Sequence, residues 1–155
     1  MASKELMTEE GFELLKKKID DLEQQLKDLR LYKGEEAVHA GDSWHDNPTL
    51  YRVEAEERTL MLQITELKEK RSHAEVVSAP QNTDIISLGS KVEIEFSDGN
   101  VETYRILSET ETNPSEGKIS YKSPLGAALM GKKVGDLVSY NIGSGTEVVE
   151  IITIS

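Results

Sequence analysis

Apolar residues fall at Leu15, Ile19, Leu22, Leu26 and Leu29, in steps of 4, 3, 4 and 3. That spacing is the seam of a coiled-coil helix. The Lys, Glu, Asp and Gln residues between them make a solvated outer face. Thr8-Glu9-Glu10 opens this helix: a capping hydroxyl, then acids at the positive end of the helix dipole. A second seam runs through Val53, Leu60, Ile64, Leu67 and Ala74, with the polar residues Glu57 and Arg71 in slots of the same register. Between the seams lie Gly34, which costs a helix about 1 kcal/mol relative to Ala, and the small Ala37 and Ala40, which let two helices approach closely. Gly41 is a natural helix terminator, and Asn47-Pro48 reads as a cap followed by proline at the first helical position. Two helices joined by so short a loop must pack antiparallel. The sequence therefore predicts a hairpin over 1–78 with its far tip at about 41–47.

Ser78-Ala79-Pro80-Gln81-Asn82-Thr83 has no period and contains a proline, so 79–83 reads as a linker. From Ile85 on the period changes to 2. Val92, Ile94 and Phe96 alternate with Lys91, Glu93 and Glu95, the pattern of a half-buried strand. Ser97-Asp98-Gly99-Asn100 is a hairpin turn, with Val101 to Leu107 as the return strand. A loop through Asn113-Pro114, a short strand over 118–122 and a brief helix opened by Ser123-Pro124 follow. Leu137 to Ile142 and Glu147 to Ile154 form a second hairpin. The expected fold class is an antiparallel helical hairpin followed, over 84–155, by a small α+β domain built on an antiparallel sheet.

The net charge of −11 argues against broad binding to free DNA, whose affinity comes from cations on phosphate. It leaves open a protein partner, or nucleic acid already held by one. The absence of cysteine excludes disulfides and thiolate metal sites. The opening Met1-Ala2-Ser3-Lys4-Glu5 runs straight into a charged helix, with neither a signal peptide's apolar core nor a membrane span, so the expected location is the cytoplasm.

The hairpin tip concentrates unusual residues: the only tryptophan, Trp44, and two of the three histidines, His39 and His45, beside Asp42 and Asp46. Each has two readings. Asp42 and Asp46 are either metal-orienting acids or residues that cap the two helix ends. His39, Asp42, His45 and Asp46 could bind a transition metal, since imidazole suits Zn, Ni or Cu; His39 and Asp42 would share one helix face only if the helix continued past Gly41. Trp44 either packs against a partner or staples the loop against Val38 or Leu50. Lys16-Lys17-Lys18 is either an RNA-facing patch or a solvated helix face.

At these residues the chain resembles the bacterial Gre transcript-cleavage factors. The resemblance covers nearly the whole sequence. It rests on the hairpin, on the tip Gly41-Asp42…Asp46-Asn47…Tyr51, on Thr103-Tyr104-Arg105-Ile106, and on Ser123-Pro124-Leu125-Gly126…Leu129…Gly131-Lys132-Lys133-Val134-Gly135-Asp136-Leu137-Val138. FKBP-type domains carry a turn similar to the last run, so an FKBP-like C-terminal domain is implied. The resemblance further implies a factor that is not an enzyme by itself and has no cofactor of its own. It would work as a monomer away from membranes, with bacterial RNA polymerase and the 3′ end of backtracked RNA as partners. The C-terminal domain would dock on the rim of the polymerase's secondary channel, with Ser123, Pro124, Lys132, Lys133 and Asp136 as docking residues. The hairpin would enter the channel, where Asp42 and Asp46 would assist Mg²⁺ held by the polymerase. Trp44, His45 and Asn47 would be tip contacts. Arg52 and Arg58 would be RNA contacts, or would pair along the helix with Glu54, Glu56 and Glu57.

The tip departs from the family's usual Gly-Asp-Leu-Ser-Glu-Asn. The second acid follows the first by four positions rather than three, Asp replaces Glu, and a Trp and a His are present. Relatives exist that enter the same channel and inhibit, so inhibition is the alternative outcome. A prolyl isomerase lacks a convincing aromatic pocket in Phe96, Tyr104, Tyr121 and Tyr140. A coiled-coil scaffold would need no acids at its tip.

Overall fold

The computed structural model describes residues 4–80 and 82–155. Met1 to Ser3, and Gln81 of the expected linker, lie outside the described residues. The chain divides by its internal contacts into two compact units, 13–73 and a second made of 1–12 with 74–155. Residues 4–12 and 74–78, which the sequence assigns to the hairpin, thus group with the sheet.

The first described element is a strand, β1 (Glu5–Thr8), where the sequence reading ran straight into helix. Its partner is β2 (Ala74–Val77), paired in parallel with Glu5 opposite Ala74 and Thr8 opposite Val77. Ala74 is therefore the first residue of a strand, not the last slot of a helical seam. Parallel strands need a long crossover, and here the helical hairpin is that crossover. A four-residue strand whose partner lies beyond two helices leaves no periodic trace in sequence. Met7 of β1 is fully buried.

Helices α1 (Glu9–Ala40) and α2 (Pro48–His73) form the hairpin unit. Thr8 caps α1 as expected: the Gly11 N–H donates to Thr8 Oγ1 at 3.0 Å. Helix α1 runs unbroken through Gly34. The helices pack antiparallel, since cross-pairs descend along α2 as they ascend along α1: Glu23 with Lys68, Arg30 with Glu57, Lys33 with Glu54. Leu15, Ile19, Leu50, Val53, Leu60 and Ile64 are buried, each worth about 1.5–3 kcal/mol relative to exposure. The seam does not end at Leu29. Lys33 occupies the next slot, four residues on, and meets Glu57 at 3.1 Å and Glu54 at 3.3 Å. Arg30 Nε donates to Glu57 at 2.8 Å. A charged layer is thus inserted between the apolar layers of the hairpin. Glu54 and Glu57 spend their charge across the hairpin rather than on Arg52 or Arg58.

The other unit holds a five-stranded sheet in the order β5-β4-β3-β7-β6. Its strands are β3 (Lys91–Phe96), β4 (Val101–Leu107), β5 (Lys118–Ser120), β6 (Leu137–Ile142) and β7 (Gly145–Ile154). Pairing is antiparallel except between β4 and β5, which run parallel because the 108–117 loop crosses back over the sheet edge. Helix α3 (Pro124–Leu129) contributes Leu129 to the core. That core is aliphatic, as the few aromatics required: Ile86, Val92, Ile94, Ile106, Leu129, Val138, Val149, Ile151 and Ile154.

Glu111 ties β1 and the start of α1 to this sheet. Its carboxylate accepts from Thr8 Oγ1, from the Ser108 N–H at 3.2 Å and from Ser108 Oγ at 2.7 Å. The Leu6 N–H donates to the Tyr121 hydroxyl at 3.3 Å, and Glu10 pairs with Arg105 at 3.6 Å.

Candidate functional site at the hairpin tip

Gly41 takes φ +56° and so ends α1, a conformation that costs glycine nothing. The chain then makes one six-residue 3-10 segment, Gly41–Asp46, in which no residue is buried. Asn47 closes it. Its Oδ1 accepts from the Thr49 N–H at 2.9 Å, the capping bond that starts α2. Ser43 Oγ donates to the Ala40 carbonyl at 3.1 Å and satisfies the end of α1.

Neither acid does the capping. Asn47 and Ser43 do it, and among the described residues the Asp42 and Asp46 side chains have no hydrogen-bond or ion-pair partner. The capping reading of the two aspartates is corrected accordingly. The four-position spacing now has a geometric meaning. A 3-10 turn has 3 residues, so positions i and i+3 eclipse. Acids three apart would share a face, whereas acids four apart stand about 120° around the axis. In such a turn His45 lies over Asp42, and Asp46 lies over Ser43.

Trp44 is 46% exposed and its ring rests on His45, with centroids 3.7 Å apart and planes at 36°. Val38 is 81% exposed, so the expected staple to Val38 is absent. The Tyr51 hydroxyl donates to the His45 carbonyl, anchoring the loop one residue before Asp46. The sequence marks Tyr51 only as part of a motif; its place in the first turn after Pro48, six residues past His45, is the available signal. His39 turns back onto its own helix, with Nδ1 2.8 Å from the Glu35 carbonyl. Among the described residues no three His, Cys, Asp or Glu side chains are grouped to hold a metal ion. Arg52 and Arg58 are exposed on α2 and have no ion pair among the described residues. The expectation that they pair with Glu54, Glu56 or Glu57 is corrected.

The residues expected to dock lie together around α3 and the turn after it. Ser123 Oγ caps α3, accepting from the Gly126 N–H at 3.1 Å and donating to the Ser120 carbonyl at 2.6 Å. Pro124 is the first helical residue. A Cβ on Gly126 would lie 2.0 Å from the Ser120 carbonyl oxygen, so only glycine fits there. Asp136 Oδ2 accepts from the Lys133 N–H at 2.9 Å and shapes the turn. The Lys132 carbonyl accepts from Ile86, leaving the Lys132 and Lys133 side chains exposed.

A helical hairpin with an acidic exposed tip, coupled to a small sheet domain, is the architecture these elements define. Residues 80–155 match the family described as "Transcription elongation factor, GreA/GreB, C-term". The chain is 33% identical over 149 residues to the transcription elongation factor GreA of Thermosipho africanus, covering 96% of this chain and 94% of that protein. It is 34% identical over 154 residues to the GreA of Bacillus licheniformis, covering 96% and 95%. The solved structure of Thermus aquaticus Gfh1 is 27% identical, covers 99% of each chain and superposes with a TM-score of 0.46. The chain belongs to the GreA/GreB family and is a Gre-like transcription elongation factor. No helix among the described residues is long and apolar enough to cross a membrane.

Proposed function

We propose that this chain acts in the secondary channel of bacterial RNA polymerase. There its tip would stimulate the polymerase's own hydrolysis of backtracked RNA. The single observation that carries the proposal is the pair of exposed, unpartnered carboxylates Asp42 and Asp46, held by caps that other residues supply. Two-metal phosphodiester hydrolysis needs both ions held and a water activated. Mg²⁺ accepts one or two carboxylates and keeps several waters. Acids about 120° apart around the turn suit separate tasks: one completes the shell of a polymerase-held Mg²⁺, the other orients the attacking water. The factor needs no metal of its own and is not itself an enzyme. Lys132, Lys133 and the α3 cap face the channel rim, and Arg52 and Arg58 face the RNA. It works as a monomer in the cytoplasm.

The same spacing supports a second reading. Acids that do not share a face could occupy the site without activating water, which would inhibit. Cleavage by a stalled, backtracked elongation complex with Mg²⁺ decides between the two. Acceleration by wild type that is lost in Asp42→Asn/Asp46→Asn supports stimulation. Slowed cleavage or slowed nucleotide addition supports inhibition. If neither protein acts on or competes for the polymerase, the proposal fails.

A further inference from the structure

The tip carries an aromatic feature that the acids do not explain. Trp44 stands between Asp42 and Asp46, two positions from each. One part of its ring rests on His45, and His45 is itself anchored through its carbonyl by Tyr51. The indole is held in place yet remains 46% exposed, and the Tyr51 ring is 59% exposed. Arg52 and Arg58 follow on α2 as exposed cations without an ion pair among the described residues. An open indole at the loop, with the exposed cation Arg52 in the first turns of the helix that follows, offers the two kinds of group with which proteins hold single-stranded nucleic acid. Aromatic faces stack on bases and cations track the backbone. Packing against Val38 does not explain it, because Val38 is 81% exposed.

We infer that Trp44 is a nucleobase-stacking platform for the terminal base of the backtracked RNA. This rests on the proposed placement of the tip in the polymerase, and it adds a ligand contact to that site. His45 stiffens the platform from behind, Tyr51 fixes the loop, and Arg52, next to Tyr51 in the chain, is the nearest cation on α2 for the adjoining phosphate. Stacking beside the two carboxylates would hold the scissile segment in register with them. Purines have the larger π surface, so the contact favours a purine at the RNA end.

The test uses full-length protein and backtracked complexes whose extruded 3′ nucleotide is 2-aminopurine, whose emission falls on stacking. The emission is read in Mg²⁺-free buffer. Matched complexes ending in adenine or in an abasic nucleotide are read for cleavage with Mg²⁺. Wild type and Trp44→Phe should quench 2-aminopurine, and Trp44→Leu should not. Trp44→Leu should slow cleavage of the adenine-ended RNA by about 5- to 150-fold, the worth of one base–aromatic stack, and leave the abasic RNA unchanged. If wild type accelerates cleavage but quenches no more than Trp44→Leu, the stacking inference is overturned while the proposed function stands. A loss in Trp44→Leu that is equal for adenine and abasic ends would also overturn it, and would assign Trp44 to a protein contact. Quenching without acceleration would keep the platform and remove the cleavage role. Neither effect would remove both.

Discussion

Tyr51 donates its hydroxyl to the carbonyl of His45, joining the first turn of α2 to the end of the acidic loop. That bond ties down the loop one residue before Asp46. In Tyr51→Phe the ring stays and the tether goes. A neutral hydrogen bond nets about 0.5–1.5 kcal/mol, so the proposed stimulation of RNA cleavage should fall roughly 2- to 10-fold. Polymerase affinity, measured by competition, should not change. An unchanged cleavage rate would show that the loop holds its shape without the tether.

The charged layer of the hairpin gives it a pH window. The Arg30 guanidinium first, and then Lys33, hold the Glu57 carboxyl below its usual value of 4.5. Its contribution is present above that value and is lost as pH falls through the lowered one. The Glu57 hydrogen bond in turn raises Lys33 above 10.5, so that share is present below 10.5 and lost as pH rises through the raised value. Glu57→Gln should flatten the acid limb of helix stability followed by circular dichroism. Glu57→Ala should cost about 1–2 kcal/mol at neutral pH, discounted because Arg30 is half exposed.

Glu111 serves three donors from two chain segments, Thr8 and both donors of Ser108. Thr8 and Ser108 are buried. Glu111→Ala strips a buried hydroxyl of a partner, which costs about 1–3 kcal/mol. The melting temperature of the sheet unit should drop by several degrees, about 4–8 °C per kcal/mol for a domain of this size. Hydrogen exchange should quicken at Leu6 and Met7 before it quickens at Ile94. Equal quickening at both would mean that Glu111 does not act as a local tie.

Tyr104 gives the sheet an alkaline limb. Burial first, and then the Glu102 carboxylate, push its hydroxyl up to about 12 from 10.0. The unfolded chain therefore loses this proton first as pH rises from 10.0 towards about 12, and stability falls over that range. Tyr104→Phe should shallow the fall without abolishing it, because burial and Glu147 also raise Tyr140. Tyrosinate absorbance of the folded protein supplies the check: the highest titration step should disappear in Tyr104→Phe.

Local chemistry made much of this legible. The 4-3 spacing announced both helices, Thr8 and Asn47 announced their starts, and the period-2 run at Val92, Ile94 and Phe96 announced β3. Ser123-Pro124 announced α3. Lys33 stood four residues after Leu29 and so in the seam, but only the opposing Glu54 and Glu57 make a charge acceptable there, and that pairing is tertiary. β1 and β2 escaped notice because short parallel strands take their meaning from a distant partner. At the tip the acids were visible and their freedom was not. Whether an aspartate caps or stands open depends on which neighbour takes the helix-end bonds, and here Ser43 and Asn47 take them.

The pairing of β1 with β2 has a consequence for the order of folding. β1 precedes the hairpin in the chain and its partner follows it. Closing a loop that long as free chain would carry a large entropic cost and slow the step. The hairpin removes most of that cost, because zipping α1 against α2 by neighbouring heptads carries β2 back beside β1. The arm that presents the acids is thus also what brings β1 and β2 together.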